Sequence, residues 1–259
     1  LERVELGNGD DALGDEAEQR RRALDVLRAA LFRGRMITKE RLEAGAGGIE
    51  TAQLLSHVVD VVITALYDFT TVHIFRARNP TEGERLALLA VGGYGRGALA
   101  PFSDVDLLFL RPYKQTPHAE SVIEYMLYAL WDIGLKVGHS SRSLDDMVRM
   151  AKSDLTIRTA MLEGRYVWGD QELFDEAQQR FWAEVVAGTE RQYVTEKLAE
   201  RNERHKRLGD SRYVVEPNVK EGKGGLRDLH TLYWIGKYIH HVRSAAELVD
   251  VGLLSADEY

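Results

Sequence analysis

The apolar positions of this chain change period as it proceeds, and the changes mark out its elements. After an acidic, glycine-bearing lead-in over residues 1 to about 15, the pattern predicts a helix from about Asp15 to Phe32 and a break at Gly45 to Gly48. Residues Ile49 to Arg78 contain no Gly or Pro and place Leu55, Val58, Val59, Val62, Leu66 and Phe69 at helical intervals, with Asn79-Pro80 as the stop. Leu86 to Val91 and Val105 to Leu110 are short, continuously apolar runs of the length of buried strands. Helical spacing returns over Pro117 to Gly134 (Val122, Ile123, Met126, Leu127, Leu130), with Gly134 as C-cap. Leu135 to Ser143 reads as a third strand, with Ser143 as the N-cap of the helix after it. Beyond Ser153 the pattern is almost wholly helical, near 153–163, 171–187, 189–208 and 226–242, interrupted by an extended glycine- and lysine-bearing loop, Tyr213 to Asp228. This reading divides the chain into a helical lead-in over 1–48, a mixed domain over 49–165 and a helical domain over 166–259.

Between the first two strands lies Val-Gly-Gly-Tyr-Gly-Arg-Gly-Ala-Leu-Ala-Pro-Phe-Ser-Asp-Val-Asp, residues 91 to 106. Side chains on a strand alternate faces, so Asp104 and Asp106 point one way and Val105 the other. Two anions on one face of a buried strand call for a neutralising cation. The cation suited to paired carboxylates is a hard one such as Mg²⁺, which is commonly shared with substrate phosphates. Gly92, Gly93, Gly95 and Gly97 let the backbone turn tightly and approach a ligand closely. Arg96 can either grip phosphate or pair with a carboxylate.

Competing motif readings fail on context. Gly93-x-Gly95-x-x-Ala98 fits a dinucleotide fingerprint, but such a turn opens a long helix, whereas Pro101 follows within four residues of Gly97. No Gly-Lys-Ser/Thr follows a four-residue spacer, so a Walker loop is excluded.

At 259 residues, 44% hydrophobic and 29% charged, the composition is that of a globular protein able to bury roughly three quarters of its unfolded surface. The absence of cysteine rules out disulfides, thiolate metal sites and Cys nucleophiles, and permits a reducing compartment. No continuous apolar run approaches the ~18 residues of a membrane span, and the acidic start is unlike a leader peptide, so the expected setting is the cytoplasm. A net charge of −7 speaks against nucleic acid as a partner. Locally, though, Arg201 to His230 holds eight basic and five acidic residues, including Lys220, Lys223 and Arg227 beside a helix start at Leu226, an arrangement that favours anions. Leu at position 1 and the lack of a closing signal read as a piece of something longer.

Gly-Gly followed about ten residues later by Asp-Val-Asp-Leu resembles the signature of the polymerase-β-type nucleotidyltransferases. Ala90 to Gly97 with Ser103 to Leu108, Gly134 to Ser140, Asp154-Leu-Thr with Ala160 to Glu163, and Glu216 to His230 are together similar to the bacterial bifunctional uridylyltransferase/uridylyl-removing enzymes, in order over about residues 50 to 240. The resemblance implies an α+β fold, a small mixed sheet with flanking helices followed by a helical domain. It also implies Mg²⁺-dependent transfer of UMP from UTP to a tyrosine of a PII-type nitrogen regulatory protein. Asp104 and Asp106 would then be catalytic metal ligands, and Gly92, Gly93, Arg96, Ser103, Lys220, Lys223 and Arg227 nucleotide contacts. Transfer of AMP, or a non-catalytic nucleotide-binding module on the same fold, are the alternatives. Many superfamily members carry a third carboxylate on a neighbouring strand, and Leu135 to Ser143 has none. Asp145, Glu216 and His139 are the candidates for its role as base.

Overall fold

The computed structural model describes residues 9–77, 81–113, 115–209, 216, 218–242, 244 and 246–257. The helix stop at Asn79-Pro80 and residues 213–215 and 217 of the predicted loop lie outside them. The chain forms two compact units, Leu1–Leu144 with Glu163–Phe174, and Asp145–Leu162 with Asp175–Tyr259. Where the pattern suggests a single cut near residue 165 and a separate lead-in, the first helix belongs to the first unit and the chain crosses between units three times.

The first unit is built on a four-stranded mixed sheet. Its strands are β1 (Ala87–Ala90), β2 (Val105–Arg111), β3 (Val137–Ser143) and β4 (Arg165–Gly169), in the spatial order β3-β2-β1-β4. β1 pairs antiparallel with β2 and with β4, while β2 and β3 run parallel. Parallel neighbours need a crossover, which the helix Pro117–Asp132 supplies. The helices of this unit are α1 (Gly9–Glu43), α2 (Gly48–Phe69), the single turn α3 (Gly92–Gly95) and α4 (Pro117–Asp132).

The core joins Leu27 and Leu31 of α1, Leu55, Val59, Ile63 and Leu66 of α2, and Val122, Met126 and Leu130 of α4 to Leu88, Val105, Leu107 and Phe109 of the sheet. The helix Gly48–Ile74 is long and apolar enough to cross a membrane by composition. It also carries Glu50, Asp60 and Asp68 and buries Leu55, Val59, Val62, Ile63 and Leu66, as a core helix does.

Three boundaries differ from the pattern, each for a local reason. α1 continues past Phe32 because nothing stops it before Gly45, which sits at φ 98° while Ala46 N–H bonds Arg41 O at 3.0 Å and Gly45 N–H bonds Leu42 O at 3.0 Å. The regular part of α2 ends at Phe69 and opens into a wider turn over Thr70–Ile74, short of Arg78. β3 begins at Val137 because Leu135 closes the cap of α4: its N–H bonds Leu130 O at 3.0 Å while Gly134, at φ 90°, bonds Trp131 O at 2.9 Å.

The fourth strand is hidden by its brevity. Arg165-Tyr-Val-Trp-Gly lies within a region of helical pattern, and only its pairing with β1, irregular between Leu88 and Leu89, makes it a strand.

The second unit is helical. Its elements are α5 (Leu144–Ser153), α6 (Leu155–Leu162), α7 (Gln171–Arg180), whose first turn up to Phe174 counts with the first unit and which opens into a wider turn over Phe181–Val186, α8 (Glu190–Arg207), α9 (Leu226–His240) and the short α10 (Glu247–Asp250). Tyr193 and Tyr238 stack at 3.8 Å inside it. The buried Lys197 ammonium lies 4.4 Å from the centre of the Trp234 ring.

Candidate active site

Asp106 is the second residue of β2 and stands in register with Gly138 of β3. Its carboxylate lies between two glycines. A Cβ at Gly138 would stand 2.5 Å from Oδ1, and one at Gly92, where φ is 58°, would stand 3.1 Å from Oδ2. Real Cβ atoms essentially never come as close as the first distance; the second is tight, and the positive φ at Gly92 independently favours glycine, so the carboxylate is flanked by two positions that suit glycine. Asp104, just before the strand, is exposed, and Asp106 is half-buried.

A scaffold beneath the glycine turn keeps it in place. Tyr94, fully buried, donates its hydroxyl to Asp60 of α2 in a short hydrogen bond, and the Arg165 guanidinium grips both oxygens of Asp60 at 3.0 Å. Burial and the Asp60 charge push the Tyr94 hydroxyl well above its usual pKa, so it stays a donor. Gly95 is required by close approach, since a Cβ there would sit 2.3 Å from the Glu163 carbonyl. Val91 N–H bonds Asp106 O at 3.0 Å, joining the turn to the strand that bears the acid.

The other expected contacts separate into groups. Arg96 bonds the buried Glu163 at 2.5 Å, while its Nη2 lies 3.5 Å from where a Gly93 Cβ would be. Of the two roles open to Arg96, the carboxylate pairing is the one seen, and it lays the guanidinium against the turn. Ser103 is exposed beside Asp104.

None of the three candidates for a third acid or base stands beside Asp106 in the first unit. His139 is in register with Leu107, on the opposite face of β3 from Gly138, with its ring 6.3 Å from that of Trp131. Asp145 belongs to the second unit and pairs with Arg180 at 2.8 Å. Glu216 is exposed and also belongs to the second unit. Among the described residues no group of three His, Cys, Asp or Glu side chains could hold a metal ion. The donor set is thus a pair of carboxylates, hard oxygen donors suited in chemistry to a divalent cation, and the space left by the glycine cradle is taken by the Asp106 carboxylate itself.

Lys220, Lys223 and Arg227 lie in the second unit, and over residues 218–228 the chain around them is compact rather than extended. Asn218 Oδ1 accepts the N–H groups of Lys220 at 3.0 Å and Glu221 at 2.8 Å. Leu226 N–H bonds Val219 O at 2.9 Å, and Arg227 N–H bonds Lys220 O at 2.9 Å. Arg227 pairs with Glu221 at 3.2 Å, whereas Lys220 and Lys223 are exposed. Asp228 anchors the loop, accepting from Gly224 N–H at 2.8 Å and approaching Arg204 at 2.5 Å and His205 at 3.0 Å. Burial works against the Asp228 charge, yet the Gly224 N–H, His205 and Arg204 together hold its carboxyl below the usual range. Lys223 also lines a cleft of about 710 Å³ with Arg201, His205 and Lys206.

Gly138 and Glu163 fall within the strings that carry the family resemblance, but neither is given a role by the sequence. A glycine inside a strand signals close approach, and it could have marked the first. Nothing local marks the second.

The family model described as GlnD PII-uridylyltransferase matches residues 192–259. Over 248 residues, 96% of this chain, it is 66% identical to the bifunctional uridylyltransferase/uridylyl-removing enzyme of Caulobacter vibrioides strain NA1000 / CB15N, covering 26% of that protein. The enzymes of the same name from Phenylobacterium zucineum (66% over 245 residues, 95% of this chain, 26% of that protein) and Rhodospirillum rubrum (57% over 245 residues, 94% and 26%) align similarly. The chain spans about a quarter of the length of the curated relatives it matches. The class these findings support is nucleotidyltransferase. Within that class the chain belongs to the family of bifunctional uridylyltransferase/uridylyl-removing enzymes.

Proposed function

We propose that the first unit is a polymerase-β-type nucleotidyltransferase domain that transfers UMP from UTP to a tyrosine of a PII-type regulatory protein. The observation that carries this reading is the Asp106 carboxylate held between Gly92 and Gly138, two residues after the exposed Asp104. Asp104 and Asp106 would hold Mg²⁺, which when bound neutralises the phosphates and the charge developing on them.

The chain's own groups do the rest. The turn at Gly92 and Gly93 brings backbone against the triphosphate without a side chain between them. The Ser103 hydroxyl donates to a phosphate oxygen, and Arg96, steadied by Glu163, places positive charge beside the turn. The acceptor hydroxyl attacks the α-phosphorus and loses its proton, the bond to the bridging oxygen breaks, and pyrophosphate leaves. Lys220 and Lys223 add positive charge that attracts the nucleotide to the chain. The expected setting of the reaction is the cytoplasm, in keeping with an acidic, cysteine-free chain.

The test is to incubate the chain with Mg²⁺, labelled UTP or ATP, and a PII-type protein. Label on a tyrosine from UTP is the expected result. Label from ATP alone would overturn the base assignment, and nucleotide binding without transfer from either would mark a non-catalytic module.

A further inference from the structure

The first unit carries an apolar groove that the transfer chemistry does not use. It has a volume of about 560 Å³ and runs between α1, α2 and the segment Leu99–Ser103 that leads into Asp104. One stripe of α1 is spent on the core through Leu27 and Leu31, and Gly34 lets α2 approach so closely that a Cβ there would meet Val58 at 2.4 Å. A second stripe, Phe32, Arg35, Met36, Lys39 and Leu42, follows the i, i+3, i+4, i+7 rule but faces the groove, with Phe32 65% and Leu42 45% exposed. Apolar patches of this kind on an otherwise charged surface mark places where another molecule sits.

The opposite wall is Phe102. Ser103 N–H bonds Ala100 O at 3.1 Å, closing a turn with Pro101 at its second position and Phe102 at its third. That third position has φ 66°, the left-handed region that favours glycine. Holding a bulky residue there costs about 1–2 kcal/mol. Burial does not offset the cost, because Phe102 is 92% exposed. A strained, exposed aromatic ring two residues before Asp104 is best accounted for by a contact made with something outside this unit.

We propose that this groove docks the acceptor protein, taking an apolar side chain of the acceptor between Phe102 and the Phe32–Met36 stripe. Flanking carboxylates of the acceptor would meet Arg35 and Lys39. The inference rests on the uridylyl-transfer reading above and deepens it. The occupant's charge follows from the rim: Arg35 has no ion-pair or hydrogen-bond partner among the described residues, and Lys39 has only the exposed Glu43 at 3.7 Å. Its nearness to the site follows from the chain, since the groove wall at Ser103 is joined directly to Asp104. The wall is itself anchored, with Leu99 N–H bonded to Ala52 O of α2 at 3.0 Å.

The experiment measures binding and turnover separately, with a PII-type protein as the probe. Direct binding to the wild-type chain is compared with Phe102→Gly, which suits the turn and keeps it folded, and with the charge reversal Arg35→Glu/Lys39→Glu. We expect acceptor affinity to fall about tenfold or more in each, with the loss in the second variant shrinking as salt rises. In transfer assays KM for the acceptor should rise while KM for UTP and the rate at saturating acceptor stay within about twofold. Unchanged acceptor affinity in both variants overturns the proposal, as does a self-association of the chain that these substitutions abolish. Acceptor that binds wild type at the groove yet receives no label defeats the transfer reading and leaves the docking one standing.

Discussion

Two glycine-bearing segments of this chain look alike in composition and do opposite things. In the first unit, Gly92 and the strand glycine Gly138 leave space around the Asp106 carboxylate, so the missing side chains become room for a functional group. In the second unit, the missing side chains of Gly222 and Gly225 are filled by the loop's own backbone. A Cβ at Gly222 would lie 2.6 Å from Asn218 O, and one at Gly225 2.6 Å from Val219 O. The cations follow the same division. Arg96 stays beside its turn, held by Glu163, whereas Arg227 is engaged by Glu221 within its own loop. A glycine- and lysine-rich string is therefore no guide to ligand binding until the neighbours of each glycine are known.

The contrast can be broken most directly at the acid itself. Asp106→Asn should lower transfer by about a thousandfold, the scale of a preorganised electrostatic contact, with little change in melting temperature. A variant that kept its rate in a single-turnover assay would remove Asp106 from the mechanism. Gly138→Ala sharpens the point, because its Cβ meets only the end of the Asp106 side chain. The carboxylate should shift and transfer fall by about a hundredfold while denaturant unfolding stays near wild type.

The second segment should respond in stability rather than in chemistry. Asp228→Asn removes the nearer counter-charge of the buried Arg204 and leaves it only Glu221 at 3.8 Å, and we expect a loss of about 2 kcal/mol in urea unfolding. The folded Asp228 carboxyl is held below its ordinary value. Its contribution is therefore complete above about pH 3.9 and disappears as pH falls through that value towards the folded one. The variant should flatten that acid limb. Gly225→Ala should cost about 1–2 kcal/mol through backbone collision. Lys220→Ala, at an exposed position, should leave stability unchanged and raise KM for UTP only about twofold, an effect erased by salt.

Much of the first unit is legible in the order of its residues. The runs that form β1, β2 and β3 and the stripes of α2 and α4 follow from local periodicity, and so does the place of Asp106 in β2. The compactness of the loop before α9 is not legible, because its glycines and lysines look the same whether or not Asn218 and Asp228 fold the chain back on itself. His139 looks as available as any residue of its strand until the register sets it opposite Leu107, facing away from Gly138. β4 escapes notice because five residues carry too little pattern, and its pairing with β1 is a contact between residues far apart in the chain.

What the sequence determined alone is the kind of chemistry: two carboxylates with one residue between them where a strand begins, a glycine turn before them, and no cysteine to offer another route. Those are statements about neighbours along the chain, where covalent geometry dictates the outcome. Only the tertiary structure decided that Gly138 completes the cradle of Asp106, that Asp60 and Arg165 brace Tyr94, and that Phe102 stands strained and exposed above an apolar groove. Each of these depends on which distant segments meet, and packing of the whole core selects those meetings.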